Sequence, residues 1–379
     1  MSAPELPDGL PSAGCRMPAE WEPHAATWIA WPHNRSDWPG KFASVPWVYG
    51  EIVRRILPHE KVRILVNSPA HEAKARRVLE RAGALSGDVE FFLVPTNRAW
   101  ARDFGPIYVH RGQPAPSLVI AGFRFNAWAK YPDFELDCEV SRRIAEATEC
   151  PFFPVDFRGE RFVLEGGSID VNGRGTLLTT EECLLDRDVQ VRNPGAERGD
   201  IEGVLKASLG ADGVVWLSRG ITGDDTHGHV DDLCRFTGPR SIVLCREPDP
   251  DDDNHCALEE NRERLEGCRL EDGSRPEIAF IPMPSPLFYR GQRLPASYAN
   301  FYIANGTVLV PTFNDPRDRQ ALGIIAELFP GRTVVGIHAV DLVWGLGTLH
   351  CLTQQEPMGT PPEGRHAAPE LPGPGAPTR

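Results

Sequence analysis

A cysteine, a histidine and several carboxylates stand in five segments of this 379-residue chain that are rich in polar and aromatic residues. Cys351 closes Gly345-Leu346-Gly347-Thr348-Leu349-His350-Cys351, after a strand-like run and just past glycines that allow close approach of a ligand. The other segments are NRAWARDFGP (97–106), LEGGSIDVNG (164–173), GDDTHGHVDD (223–232) and ASYANFYIANG (296–306). A thiol becomes a nucleophile when a base or positive charge lies near it. His229, in Gly228-His229-Val230-Asp231, is the candidate base. In extended backbone, residues two apart point the same way, so His229 and Asp231 are expected to face one pocket. An imidazole beside a carboxylate keeps its proton near neutral pH and can serve as acid, then base.

Asp103 and Asp231 could grip a guanidinium. That group is planar, always charged and matched to carboxylates in bidentate fashion. Held from two edges, it would leave one face open to sulfur. The plainer reading of Asp103 is an ion pair with Arg102 or another arginine. Trp100 could wall the pocket or stack on a cation, or simply pack in the core. Glu165 precedes Gly166-Gly167, and its plainer reading is an exposed acid in a turn. No Walker pattern or GxGxxG is present.

The composition narrows the partners. Net charge is −13 with no long basic run, which argues against nucleic acid and anionic membrane and suits a small cationic substrate. Nine cysteines with no CxxC point to reduced, mostly buried thiols, not a disulfide framework or a cysteine zinc site. If Cys351 is activated, iodoacetamide is expected to label it ahead of the other eight. No metal and no cofactor are expected. Asp249, Asp251, Asp253 and Glu260 match calcium-loop positions, but Asn254 replaces the turn glycine and no clear helix precedes them. His229-Val230-Asp231 is loosely like the His-x-Glu of zinc deaminases, whose Cys-x-x-Cys half is missing here. The N-terminus has no signal-peptide character, and no 18-residue apolar stretch exists. A cytoplasmic protein is expected, and a homo-oligomer is compatible with the sequence.

Similar strand–helix–strand units start near residues 62, 117, 176, 241 and 307. Each second strand is followed by one of the polar segments. Equivalent positions in a radial repeat meet around one axis, so the pattern predicts an α/β ring of five units with one central pocket. The alternative is an ordinary doubly wound sheet. Asp315 and Asp200 are the expected N-caps of the fifth and third helices, with Gly210 closing the third. Residues before 60 and after 352 are expected to lie outside the repeat. The expected organisation is one domain over 1–356 and a disordered tail over 357–379, which carries seven prolines.

MPAEWEPHAATWIAWP, AWARDFGP, the LEGG stretch, GTLLTTEECLL, GHVDD, ASYANFYIANG and HCLTQQ occur in order over residues 17–356. In these the chain resembles the agmatine deiminase family, also labelled bacterial-type peptidylarginine deiminase. The resemblance implies a five-bladed α/β propeller, the pentein fold, and a cofactor-independent guanidine hydrolase. It implies Cys351 as nucleophile, His229 as acid and base, Asp103 and Asp231 on the guanidinium, and Trp100, Glu165 and Asp225 lining the substrate site. Agmatine would give N-carbamoylputrescine and ammonia, a step towards putrescine. Arginine or peptidyl-arginine is the nearest alternative substrate, and a non-catalytic pentein binding module the alternative of another class. Two departures stand out: Gly345-Leu346-Gly347-Thr348 replaces the family's frequent Gly-Gly-Gly-Asn turn, and Asp225 stands where agmatine deiminases often carry Glu.

Overall fold

The computed structural model describes residues 14–112 and 117–359. Five sheets of three or four strands carry the α/β fold, with two small hairpins beside them. Each sheet holds a parallel pair bridged by a helix, as parallel pairing requires. Strand Lys61–Val66 pairs with Val89–Leu93 across helix Pro69–Arg81, and Ser117–Gly122 with Phe152–Pro154 across Val140–Thr148. Thr176–Thr180 pairs with Gly213–Leu217 across Arg198–Leu209. Ser241–Arg246 pairs with Glu277–Pro282 across His255–Gly267, and Thr307–Thr312 with Thr333–His338 across Asp318–Leu328. These first strands begin within a residue of the predicted starts. They are short β-branched runs buried on both faces, so local composition specifies them.

Each sheet is completed by an antiparallel strand that the chain enters after a polar segment: Ile107–Arg111, Asp170–Val171, Cys234–Phe236, Tyr302–Ile303 and Thr353–Pro357. The five segments singled out by their chemistry are therefore the links from one sheet to the next.

Three expectations need correction. Neither His24–Ala30 nor Thr353–Pro357 is outside the repeat: His24–Ala30 is an inner strand of the first sheet, parallel to Lys61–Val66 and antiparallel to Thr353–Pro357. That last strand places Pro357 opposite His24, one residue beyond the boundary drawn at 356. Residues 360–379 of the expected tail lie outside the described residues. The helix caps also shift. Asp318 opens the fifth helix and accepts the Phe313 and Asp315 amides at 3.0 and 3.1 Å, while Asp315 accepts from Arg317 N. Asp200 is the third helical residue of its helix and forms a capping box with Glu197; Gly210 closes that helix at φ 73° as expected. No helix among the described residues is long and apolar enough to cross a membrane.

Candidate active site

Cys351 lies on the single turn Leu349–Leu352, its side chain buried. The Asn300 side-chain amide donates to its sulfur at 3.1 Å. The Asn300 carbonyl oxygen accepts from Thr348 Oγ1 at 2.7 Å and from the His350 amide at 3.0 Å, which fixes the turn beneath the thiol. Gly347 is needed for close approach. A Cβ there would meet the Trp100 ring at 2.8 Å and the Cys351 sulfur at 3.2 Å, so both lie against its backbone. Leu346 takes up the left-handed backbone (φ 67°) in place of a glycine turn.

Gly167 marks the other side of the site. A Cβ on it would meet His229 Nδ1 at 2.5 Å, Asp103 Oδ1 at 2.8 Å and Asp231 Oδ2 at 3.1 Å. His229 is followed by the tight turn Val230–Asp232, so the expected strand alternation is absent. The two side chains converge nonetheless. His229 Nδ1 lies 3.7 Å from Asp103 Oδ1 and its Nε2 3.7 Å from Glu165 Oε2, with neither ring nitrogen hydrogen-bonded. Asp103 accepts from Trp128 Nε1 at 2.9 Å and from the Gly167 amide at 3.1 Å. Its expected alternative partner, Arg102, instead serves Glu20 and Gln355. Asp231 Oδ2 is 2.6 Å from His350 Nδ1 and 3.9 Å from the Cys351 sulfur; its Oδ1 is buried without a partner. Buried polar atoms without partners are rare, and here they cluster around one place.

Burial is the largest influence on each group here, and charge decides the direction for some. Burial pushes the Cys351 thiol well up, and Asp231, Asp232 and Asp103 push it further. Burial works against the His229 imidazolium, but Asp103, Cys183 and Glu165 outweigh it and raise its pKa well above the ordinary value. Asp103 is pushed up to about 6 by burial, with Asp231 and Glu165 adding to the effect against His229. Glu165 drops to about 2 because the Arg192 charge, with His229, overcomes burial. The site thus pairs a neutral thiol with a charged imidazole and an excess of carboxylate, which suits a buried cation.

Trp100 is buried against Trp38, their ring centroids 5.2 Å apart, and lies against Gly347, as the Cys351 sulfur does. Glu165 is no exposed turn acid: it is fully buried and paired with Arg192 at 3.0 Å. Asp225 is not in hydrogen-bond contact with the cluster. Its carboxylate is held by Lys130 Nζ at 2.5 Å and the Tyr131 hydroxyl at 2.7 Å. It is tied back through Gln190 Nε2, which bridges the carbonyls of Asp225 and Trp128 at 3.1 and 3.0 Å. Lys130 and Tyr131 also border a groove of about 790 Å³ with Arg124, Arg158, Arg161 and Arg192.

The sequence reading missed Asn300, Trp128, Arg192, Cys183, His350 and Glu20. Asn300 and His350 lie in segments it had flagged, but nothing in their spacing separates them from their neighbours. Among the described residues two triads could hold a metal, Glu165–Cys183–His229 and Asp231–Asp232–Cys351. A metal at either place would have to displace a proton, from the His229 imidazolium in the first and from the Cys351 thiol in the second. In the acidic stretch 249–260, Asp252 binds Arg293 through both oxygens at 2.9 Å, Asp249 accepts from the Asp251 amide, and Glu260 holds Arg264. Those carboxylates are engaged within the protein.

Residues 16–357 match the Porphyromonas-type peptidyl-arginine deiminase family. Agmatine deiminase of Ectopseudomonas mendocina is 34% identical over 91% of this chain and 96% of its own. That of Pseudomonas aeruginosa is 33% identical over 93% and 98%. Among solved structures, agmatine deiminase of Enterococcus faecalis superposes with a TM-score of 0.83 at 30% identity, covering 94% of this chain and 99% of that one. A cysteine-to-serine variant of C. jejuni agmatine deiminase with substrate bound gives 0.80 at 29% identity, over 91% and 97%.

Proposed function

Because the chain belongs to the Porphyromonas-type peptidyl-arginine deiminase family, we propose that it hydrolyses agmatine to N-carbamoylputrescine and ammonia, with Cys351 as nucleophile. One observation carries the assignment of roles: His229, Asp103 and Asp231 gather around Gly167, with the Cys351 sulfur 3.9 Å from Asp231. The guanidinium docks between Asp103 and Asp231. Its charge offsets the carboxylates that hold the thiol neutral, and Cys351 releases its proton to solvent. The thiolate forms a bond to the guanidinium carbon, giving a tetrahedral adduct. The carbon–nitrogen bond breaks as the His229 imidazolium donates its proton to the departing ammonia. A thiouronium on Cys351 remains. Water attacks it, giving one proton to the neutral imidazole; the carbon–sulfur bond then breaks as the new hydroxyl loses its proton to solvent, releasing the urea and restoring the thiolate. Glu165, fixed by Arg192, holds His229 in its charged state. Trp100 walls the pocket, and Asp225 stands at its rim. No metal is needed, since the substrate carries the charge that makes its carbon electrophilic.

The same reading takes the five sheets as blades of a five-bladed α/β propeller, supported by the way each inter-sheet link delivers a site residue. It takes the chain up to Pro357 as one catalytic domain, acting in the cytoplasm on the route to putrescine. A second reading, arginine or peptidyl-arginine as substrate, draws support from Lys130. Its ammonium already occupies Asp225 beside an arginine-lined groove, where a carboxylate would be welcome.

The test is product analysis on agmatine, arginine and arginyl peptides, with Cys351→Ser beside the parent. Agmatine is expected to be turned over best, and Cys351→Ser to bind it while losing several orders of magnitude in rate. Acid quenching of the parent during turnover should trap an adduct on Cys351. Undiminished ammonia release by Cys351→Ser would refute the mechanism; preference for a carboxylate-bearing guanidine would favour the second reading.

A further inference from the structure

Glu20 lies beneath the catalytic centre and joins the chain neighbours of several site residues. Its Oε2 is 2.7 Å from His350 Nε2 and accepts from Arg102 at 3.0 Å. Its Oε1 accepts from the Ile303 amide at 2.8 Å and pairs with Arg235 at 3.1 Å. His350 precedes Cys351, Arg102 precedes Asp103, and Ile303 begins three residues after Asn300. Arg235 is held from its other side by Asp170 at 2.9 Å and the Phe301 carbonyl at 2.8 Å. Burial opposes the Glu20 carboxylate, yet Arg235, His350 and Arg102 together hold its pKa well below the ordinary range. The line continues upward, since the other ring nitrogen of His350 meets Asp231 Oδ2 at 2.6 Å. Both ring nitrogens of His350 are thus occupied by carboxylates of different segments. The oxygen left over, Asp231 Oδ1, has no protein partner.

We propose that Glu20 and His350 are positioning residues of the guanidine site, locking the rotation of the Asp231 carboxylate so that Oδ2 is engaged from below and Oδ1 is turned to the substrate. The inference rests on the reading of Asp231 as a guanidinium ligand. The geometry explains why the imidazole adjoins the nucleophile: one helical turn carries both the sulfur and the group that fixes the carboxylate opposite it. Without His350, Asp231 can rotate or withdraw, and a displacement of about 1 Å at such a contact lowers rates on the order of a hundredfold.

The test compares two alkylating probes of similar size, read at Cys351 by peptide mass spectrometry at one alkaline pH. 2-Chloroacetamidine carries an amidinium that needs Asp231; iodoacetamide is neutral and does not. His350→Gln is expected to lower the amidinium rate about a hundredfold while leaving the iodoacetamide rate within a few-fold. Glu20→Gln should act in the same direction. The ratio of the two rates in His350→Gln/Asp231→Asn should be no lower than in Asp231→Asn alone, because both changes remove one interaction. A role in packing alone would slow both probes together. The parental ratio in His350→Gln, or additive losses in the double variant, would overturn the proposal. If Glu20→Gln does not fold, His350→Gln decides. A parent that fails to turn over agmatine while these ratios hold would sink the proposed function and leave this inference standing.

Discussion

Replacing Asp231 by asparagine should move two readouts in opposite directions. The carboxylate is 3.9 Å from the Cys351 sulfur, and both groups are buried. At an effective dielectric of about 20, two unit charges at that distance repel by about 4 kcal/mol, a penalty on ionising the thiol that removing the charge relieves. Asp231 raises the Cys351 pKa, so its removal lowers it. More thiolate forms at a given pH, but the thiolate is intrinsically weaker, so the net gain in alkylation rate is about 40-fold with a Brønsted coefficient near 0.45. Guanidine turnover should meanwhile collapse, because the cation loses a charged ligand. The assay is the pH–rate profile of Cys351 carboxamidomethylation without substrate, set beside turnover of agmatine. In the parent the raised thiol should react slowly at neutral pH, behind the exposed Cys256, which reverses the order expected from the sequence. Slower or unchanged alkylation in Asp231→Asn would refute the electrostatic account of the resting thiol.

Glu165→Gln tests the buried pair with Arg192. The folded protein holds this carboxyl at about 2, against an ordinary value of 4.5. A depressed pKa stabilises the fold above the ordinary value and loses that contribution as pH falls through the folded one. The gap corresponds to about 3 kcal/mol lost on acidification, and this part of the acid limb should be missing from urea-denaturation curves of the variant. Turnover should survive prolonged EDTA treatment and dialysis, since no step is routed through a metal; loss that zinc or calcium restores would contradict the mechanism.

The legible parts of the molecule are those with local causes. The strands from residues 61, 117, 176, 241 and 307 announce themselves as β-branched runs, and Gly210 as a left-handed cap. Cys351, His229, Asp103 and Asp231 were legible because a thiol, an imidazole and carboxylates beside glycines form a chemical set. His24–Ala30 was misplaced because its pairing with Thr353–Pro357 spans the chain and leaves no mark in either segment. Glu20 was missed for a related reason: its meaning lies in Arg102, Arg235, Ile303 and His350, and none of these is near it in sequence. Asp225 was placed by resemblance alone, which cannot show that Lys130 already sits on it.

The pairing of Thr353–Pro357 with His24–Ala30 sets an order of events in the making of the protein. A ribosome releases residue 24 long before residue 357, so the first sheet waits with an unfilled edge until synthesis is nearly finished. Cys351 lies two residues before the strand that fills that edge. Asp103, Glu165, His229 and Asp231 are therefore all synthesised before Cys351 and its neighbour His350 can reach them. Long-range closure of this kind is slow, so the sulfur and the imidazole that fixes Asp231 arrive together, in the last step of the fold.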